Sequence, residues 1–486
     1  MGSYIGKLKN KWQSVPLTVK VSTAYAVCSI LQRCLTYLTM PLFTRIMSKA
    51  QYGQVTVYAS WQGILQIFLT LNLAYWSYST AMVKFEDDRE GYISAIQGIC
   101  VALSAAFLVI YLPFRHLWNQ LFELPTWIML VMIAEILAMT CTQMWNGKKR
   151  FEFRYISVVV ITLAVSVLSP LLQYLLVVNW EEKGFARIVG SAIVTVLLGG
   201  FFFVFNSLKG KKLFHREYWK YALGFNVPLL AYYLSQVVFN QSDRIMISHI
   251  SGTDKAASYG VAYGLAMMLT FVLNAINNSY LPWYYGKIKE GKETENRKVA
   301  LGIAGLMALL LTGVIWFAPE IILIMGGEKY AEAVYVVPPV AVSLLLLFYS
   351  QLFINVEFYY EEKKSLVYAS IGAALANLVL NWIFIRIFGF VAAAYTTLVS
   401  YVLFAVCNCF AMKKVLKKRE KEDAAYDYRG LLLILGALCV LAVAGRLLYG
   451  TLIVRAAVTC VVLLVLFIKR KELAGFLRIF RKKEAQ

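Results

Sequence analysis

Two side chains, Arg33 and Glu135, carry full charge well inside apolar stretches of this chain. A charge at the centre of a bilayer costs about 2.5–3.5 kcal/mol on insertion scales, so each is a functional-site candidate by default. The plain alternative is a structural ion pair between the two. Around them run polar stripes at steps of three and four, the spacing that places residues on one helix face. One stripe is Ser22, Tyr25, Ser29, Gln32 or Arg33, Thr36 and Thr39; another is Asn226, Tyr233, Gln236, Asn240 and Asp243. Tyr58, Gln62 and Gln66 form a third, and Thr270, Asn274 and Asn277 a fourth. Thinner ones join Glu135 to Thr142, run through Thr162, Ser166, Ser169 and Gln173, and pair Gln351 with Asn355 and Asn377 with Asn381. A guanidinium forms two-pronged, charge-assisted bonds to phosphate or carboxylate oxygens, while amides and hydroxyls meet neutral polar groups. Any single stripe is better read blandly, as Ser and Thr bonding back to their own helix or Asn and Gln gluing helices together. So many together imply a hydrophilic lumen, and the candidate binding residues are Arg33, Glu135, Gln66, Gln236, Asn240, Asp243 and Asn274. Asp243 and Arg244 read as the weaker pair, at a helix end where snorkelling makes charge cheap.

The elements that must position these groups are membrane helices. A bilayer core of about 30 Å needs roughly 20 apolar residues at the helical rise, and 486 residues at 60% hydrophobic content are almost entirely accounted for that way. About fourteen spans are expected, near Val19–Phe43, Gln54–Leu73, Ile93–Leu112, Trp127–Gln143, Ile156–Val178, Ile188–Phe205, Tyr221–Asn240, Ala256–Tyr280, Val299–Phe317, Tyr335–Val356, Leu366–Ile387, Phe390–Met412, Leu431–Leu448 and Leu452–Ile468. Pro319–Ala331 is apolar but too short to cross. The last two spans carry almost nothing polar, which places them at the periphery.

The 48 basic residues divide unevenly between the two sides. With the N-terminus inside, the outer side holds only Arg45, Lys49, Arg115, Lys183, Arg187, Arg244, Lys255, Lys329, Arg386, Arg446 and Arg455. Retention of basic residues on the cytoplasmic side then places both termini there. This also absorbs the net charge of +21. The runs Lys209–Lys212, Lys413–Lys421 and Lys469–Lys471 flank spans and meet anionic headgroups, so nucleic acid is not an expected partner. The tail Phe476–Lys483 interleaves apolar and basic residues and is expected on the inner surface.

Other chemistries find little support. Cys28, Cys34, Cys100, Cys141, Cys407, Cys409, Cys439 and Cys460 all fall within spans, so no disulfide is expected. His116, His215 and His249 have no ligand spacing, which argues against a metal site. Met1–Lys20 lacks a cleavable signal pattern, and the first span is expected to direct insertion. No phosphate loop, H-E-x-x-H or G-x-S-x-G appears, so neither enzymatic activity nor a cofactor is expected. External connections are too short for a polymerase site, and a membrane scaffold would not need the polar stripes.

The chain repeats itself at an offset of about 200 residues. Arg45-Ile46-Met47-Ser48 followed by Tyr52-Gly53 matches Arg244-Ile245-Met246-Ile247-Ser248 followed by Tyr259-Gly260. Six spans separate the copies, which gives parallel repeats related by an axis along the membrane normal. The expected architecture is all-α: a six-helix bundle over 1–207, a second over 208–412 related to it by pseudo-twofold symmetry around a central cavity, and a linker, two extra helices and a basic tail over 413–486.

The repeated corner, the approach Pro41-Leu42-Phe43-Thr44-Arg45 and the set Asp243, Tyr259 and Gly260 resemble the polysaccharide-flippase branch of the multidrug/oligosaccharidyl-lipid/polysaccharide exporter superfamily. The resemblance implies a flippase of the bacterial cytoplasmic membrane. Its cargo would be undecaprenyl-pyrophosphate-linked oligosaccharide, moved by alternating access for O-antigen, capsule or exopolysaccharide assembly. It also implies proton or sodium coupling and neighbouring polymerases or glycosyltransferases. On that reading Arg33 takes the phosphates or an acidic sugar and Gln66, Gln236, Asn240 and Asn274 meet the glycan. Two relatives share the fold. A drug–cation antiporter would prefer acidic lumen residues such as Glu135 and Asp243, and a lipid II flippase would also suit a basic cavity.

The basic-residue split makes a direct prediction about topology. In a chain whose own cysteines are replaced, single Cys probes at Lys183 or Lys329 should react with an impermeant thiol reagent added outside cells, and probes at Lys211 or Lys417 should not. Labelling in the reverse pattern would overturn the orientation.

Overall fold

Apolar runs of this length, with the backbone bonded within each segment, leave helices as the economical structure in lipid. The computed structural model describes residues 17–362, 364–420 and 425–468, and every regular element among them is helical. Met1–Pro16, the run Lys469–Lys471 and the tail Phe476–Lys483 lie outside the described residues. In chain order the first helices are α1 (Leu17–Ile46), α2 (Lys49–Thr70), α3 (Trp76–Lys84), α4 (Arg89–Tyr111), α5 (Arg115–Phe122) and α6 (Thr126–Phe151). Then come α7 (Tyr155–Asn179), α8 (Lys183–Gly210), α9 (Arg216–Asn226), α10 (Leu230–Ser251), α11 (Thr253–Lys289) and α12 (Asn296–Trp316). The remainder are α13 (Ala318–Gly326), α14 (Val337–Tyr359), α15 (Lys364–Phe388), α16 (Ala392–Lys418), α17 (Tyr428–Leu447) and α18 (Leu452–Ile468).

Twelve helical segments among the described residues are long and apolar enough to cross a membrane. The two other expected spans are also helical. In α2 a run of Gln and Ser residues lowers the apolarity, and α18 is described over only 17 residues. The short apolar stretch after Trp316 forms α13, of nine residues, followed by a 3-10 segment over Glu328–Val336.

The chain separates into two compact units, Met1–Gln241 and Ser242–Gln486. The dividing point falls within α10. In the first unit, helix packing relies on small residues where backbones approach. A Cβ on Gly199 of α8 would lie 2.2 Å from the Ala138 carbonyl of α6, and one on Gly190 would lie 2.7 Å from Gln173 Cα of α7. Leu65 and Leu69 of α2 pack with Ile128, Met132 and Ile136 of α6 and Ile188 of α8, which fixes α2 beside the α6–α8 pair. The corner between α1 and α2 is closed by a capping box: Ser48 Oγ accepts from Gln51 N at 3.2 Å and Gln51 Oε1 accepts from Ser48 N at 3.0 Å.

In the second unit α14 is buried along nearly its whole length, from Val337 to Glu357. The expected peripheral pair, α17 and α18, has two characters. Leu433, Val440 and Leu447 on α17 are exposed, as an apolar stripe-free helix should be, but Leu431, Leu438, Ala442 and Gly445 are buried. Trp316 Nε1 donates to Leu441 O at 3.0 Å and Tyr349 Oη donates to Leu431 O at 2.9 Å, so α17 is tied to α12 and α14. At the start of α18, Arg455 is 1% exposed and forms a two-pronged pair with Glu320 of α13, Nη1 to Oε2 at 2.8 Å and Nη2 to Oε1 at 2.6 Å. Its Nε donates to Leu448 O, its Nη2 to Tyr449 O and its Nη1 also to Trp316 O. Counting Arg455 as one more outer-side cation misses this role, because no periodicity connects it to Glu320.

The pair holds the Glu320 carboxyl below its usual range, chiefly through the Arg455 hydrogen bonds. Breaking a buried pair by removing one partner costs about 3–5 kcal/mol, and the partial exposure of Glu320 places this one near the low end. Arg455→Leu is therefore expected to lower the unfolding temperature of the detergent-solubilised protein, with Arg455→Leu, Glu320→Leu recovering most of the loss. Because the folded carboxyl titrates low, the contribution is present at neutral pH and lost as pH falls through the glutamate range. A thermal melt of Arg455→Leu that matches the parent at neutral pH would sink the clasp.

Candidate functional site

Three polar assemblies lie within the units. The first centres on Glu135 of α6, which is 4% exposed. Tyr58 Oη and Gln62 Nε2 from α2 both donate to its Oε2 at 2.8 Å, and Ser191 Oγ from α8 donates to Oε1 at 3.4 Å. The α2 stripe meets α6 because both pack on the Leu65–Ile136 core. Sequence alone offered Arg33 as a partner. Instead, the donors around this carboxylate are neutral, and Arg33 is an exposed residue on α1 beside Tyr37.

The second assembly is a cavity of about 300 Å³ between α1, α6, α7 and α8. Its polar lining is Tyr25, Ser29 and Gln32 from α1; Thr142, Gln143, Asn146 and Arg150 from α6; Thr162 from α7; and Thr195 from α8. Two thin stripes and the long α1 stripe thus converge on one space. The guanidinium of Arg150 lies 5.0 Å over the Tyr25 ring. Its neighbours in sequence are neutralised elsewhere: Lys148 by Glu90 at 2.5 Å and Lys149 by Glu152 at 2.8 Å. Arg150 has no carboxylate partner among the described residues. The Asn146 Oδ1 and Tyr25 Oη atoms are buried without a hydrogen-bond partner. An anionic group with surrounding hydroxyls fits such a lining. Counting Arg150 only among the inner-side basic residues misses it, yet Thr142, Asn146 and Arg150 recur every fourth residue on one helix face, a signal present in the sequence.

The third assembly surrounds Asp243, 2% exposed. Tyr259 Oη donates to its Oδ2 at 2.6 Å, Thr397 Oγ1 to Oδ2 at 2.8 Å and Asn381 Nδ2 to Oδ1 at 2.6 Å. Asn377 Oδ1 accepts from Asn381 at 3.1 Å and from Ser242 at 3.3 Å, and Thr396 donates to Asn381 Oδ1. The expectation of a cheap, snorkelling charge at a helix end is corrected here. Helix α10 runs on to Ser251, so Asp243 sits two turns inside it and faces α11, α15 and α16. The Arg244 guanidinium lies 4.6 Å over the Tyr263 ring, which stacks on Tyr259.

The remaining candidates are dispersed. Gln66 is half-buried on α2, and Asn274 is exposed on α11. Asn240 donates back to Gln236 O at 2.7 Å within α10. Several stripe hydroxyls also bond within their own helix, as the bland reading has it: Thr36 to Gln32 O and Thr39 to Thr36 O on α1, and Thr270 to Met267 O on α11. Asn355 of α14 bridges Gln351 and Asn277 of α11, an amide chain that joins two helices.

Comparison with known proteins agrees with this architecture. Residues 19–285 match the family model described as polysaccharide biosynthesis protein, and residues 228–383 match the MatE model. The chain belongs to the polysaccharide biosynthesis protein family. Its fold is that of the multidrug/oligosaccharidyl-lipid/polysaccharide superfamily of membrane transporters and flippases, and it is a multi-pass membrane protein of that class. It is similar to the Lsg locus putative protein 1 of Haemophilus influenzae, 19% identical over 363 residues, covering 72% of this chain and 87% of that one. Among solved structures it resembles the lipid II flippase MurJ in an inward closed conformation, with TM-score 0.65 and 14% identity over 91% of this chain and 100% of that one. It also resembles an inward-facing multidrug resistance MATE family transporter, with TM-score 0.61 and 16% identity over 79% and 95% of the two chains.

Glu135 can be tested as a structural acceptor. Glu135→Ala strands the Tyr58 hydroxyl and the Gln62 amide, at about 1–3 kcal/mol for each buried group left unsatisfied. Membrane-fraction abundance and melting temperature should both fall, while Glu135→Gln, which retains one acceptor oxygen, should fall less. Equal and negligible loss in both variants would show that the carboxylate does not hold α2 to α6.

Proposed function

We propose that this chain is a flippase that carries undecaprenyl-pyrophosphate-linked oligosaccharide from the inner to the outer leaflet of the bacterial cytoplasmic membrane. The observation that carries this reading is the lining of the first-unit cavity: amides, hydroxyls and one cation free of any carboxylate partner among the described residues. A pyrophosphate demands a cation, and a glycan demands donors and acceptors without fixed negative charge. Arg150 takes the anionic end, Gln32, Asn146 and Thr142 meet the sugar, and Arg33 on the same helix as Gln32 extends the cationic path. Gln66, Gln236, Asn240 and Asn274 contribute where the glycan extends beyond this cavity.

In this reading the repeats over 1–207 and 208–412 rock against one another, with both termini cytoplasmic and residues 413–486 appended. Asp243 is the coupling group, exchanging its hydroxyl and amide donors for a proton or sodium ion as the transporter cycles. The exported chains supply O-antigen, capsule or exopolysaccharide, and polymerases or glycosyltransferases of that assembly are its partners. A drug–cation antiporter is disfavoured because the lining of the first-unit cavity carries Arg150 and no carboxylate. A lipid II flippase is supported by likeness of fold alone.

The experiment is delivery of lipid-linked oligosaccharide to the outer face in cells depleted of their own flippase, normalised to protein abundance. Arg150→Ala should reduce delivery at least about tenfold, equivalent to about 1.4 kcal/mol of lost stabilisation, and Arg150→Lys should restore it only in part because a point charge replaces a planar fork. Arg33→Ala should reduce delivery as well. Full delivery by the double alanine variant at normal abundance would refute the anionic-cargo reading.

A further inference from the structure

A separate groove of about 620 Å³ lies in the second unit between the C-terminal end of α15 and the N-terminal end of α16. Its walls are apolar: Leu380, Phe384, Phe388, Val391 and Val399. The polar wall residues are Tyr395, whose Oη accepts from Arg446, and Thr396, whose hydroxyl donates to Asn381 Oδ1 and Ala393 O. Charge appears only at the mouth, where Arg446 at the end of α17 lines the groove. Arg446 is exposed, donates Nη1 to Tyr395 Oη at 2.9 Å and lies 5.3 Å from the Tyr335 ring. It has no carboxylate partner among the described residues.

Those surroundings place the mouth at a membrane surface. Tyrosine and tryptophan gather at the headgroup level, and here Tyr335, Tyr395 and the Trp382–Arg386 stack, 3.4 Å from cation to ring centre, occur on the helix ends that frame the groove. Phe384 and Phe388 stack at 6.0 Å and are exposed on the α15 side of the groove, level with that belt, and Leu380 and Val399 continue the apolar wall away from the mouth.

We propose that this groove is a binding site for an anionic membrane phospholipid, with its phosphate on Arg446 and an acyl chain along Phe384, Phe388 and Val399. The chemistry is complementary at both ends. The groove excludes a polar occupant along its length, and a guanidinium at its rim satisfies a phosphate diester with two parallel donors while Tyr395 holds it in place. Its volume lies within the range of small-molecule sites. The assignment does not depend on the cargo or the direction of transport, since it needs only a multi-pass protein in a phospholipid bilayer.

The test is native mass spectrometry of the full-length protein released from nanodiscs made of equal parts phosphatidylglycerol and phosphatidylcholine. The intact protein should retain phosphatidylglycerol over phosphatidylcholine by at least about tenfold. Arg446→Ala should abolish that preference and Arg446→Lys should keep part of it, whereas Arg115→Ala, which alters a basic residue of the first unit, should leave it unchanged. Val399→Trp fills the groove without touching charge and should lower retention of both lipids, so a fault in folding of the Arg446 variant does not decide the matter. Equal retention of the two lipids by the parent, or an unchanged preference in both Arg446→Ala and Val399→Trp, would overturn the site. Displacement of phosphatidylglycerol by a tenfold lower concentration of polyprenyl phosphate would overturn the phospholipid assignment in favour of an isoprenoid occupant.

Discussion

In hydrocarbon a polar group has only the protein to bond to, and the arrangement of charge in this molecule follows from that single constraint. Glu135 is closed by hydroxyl and amide donors from α2 and α8, and Asp243 by donors from α11, α15 and α16. Glu320 is closed by a guanidinium. Each closure also ties helices that apolar packing alone would leave free to slide, because lipid tails solvate a leucine as well as another helix does. Carboxylates therefore act as anchors here.

Cations behave differently. Arg150 and Arg446 rest on aromatic surfaces at 5.0 and 5.3 Å and lack carboxylate partners among the described residues. An aromatic face holds a guanidinium in position without consuming its hydrogen-bond donors, so the fork remains available to an incoming anion. Arg455 shows the contrast: its nitrogens are taken by Glu320 and by the carbonyl oxygens of Leu448, Tyr449 and Trp316. The same residue type thus lies beside an aromatic ring without a carboxylate partner in one setting and forms a clasp in another.

Much of this was legible in the sequence. Hydropathy placed the helices, and the four-residue spacing of Thr142, Asn146 and Arg150 marks one cavity wall. Glu135 could be recognised as exceptional from its place in an apolar run, but its partners could not, since Tyr58, Gln62 and Ser191 are 77, 73 and 56 residues away. Asp243 was misplaced because a hydropathy window stops where polar residues begin, whereas the backbone keeps its helix for two further turns. The Arg455–Glu320 pair, 135 residues apart, leaves no periodic trace at all. Pairings that bridge helices are set by packing, and packing is where one-dimensional patterns stop.

The Asp243 cluster draws its hydroxyl and amide donors from three helices, Tyr259 of α11, Asn381 of α15 and Thr397 of α16. Thr396 bonds Asn381 on one side and walls the apolar groove on the other. Only Asn381 and Thr396 separate the Asp243 carboxylate from the groove wall. The closure of Asp243 and the wall of the groove are therefore built by adjacent residues on one turn of α16, Thr397 and Thr396.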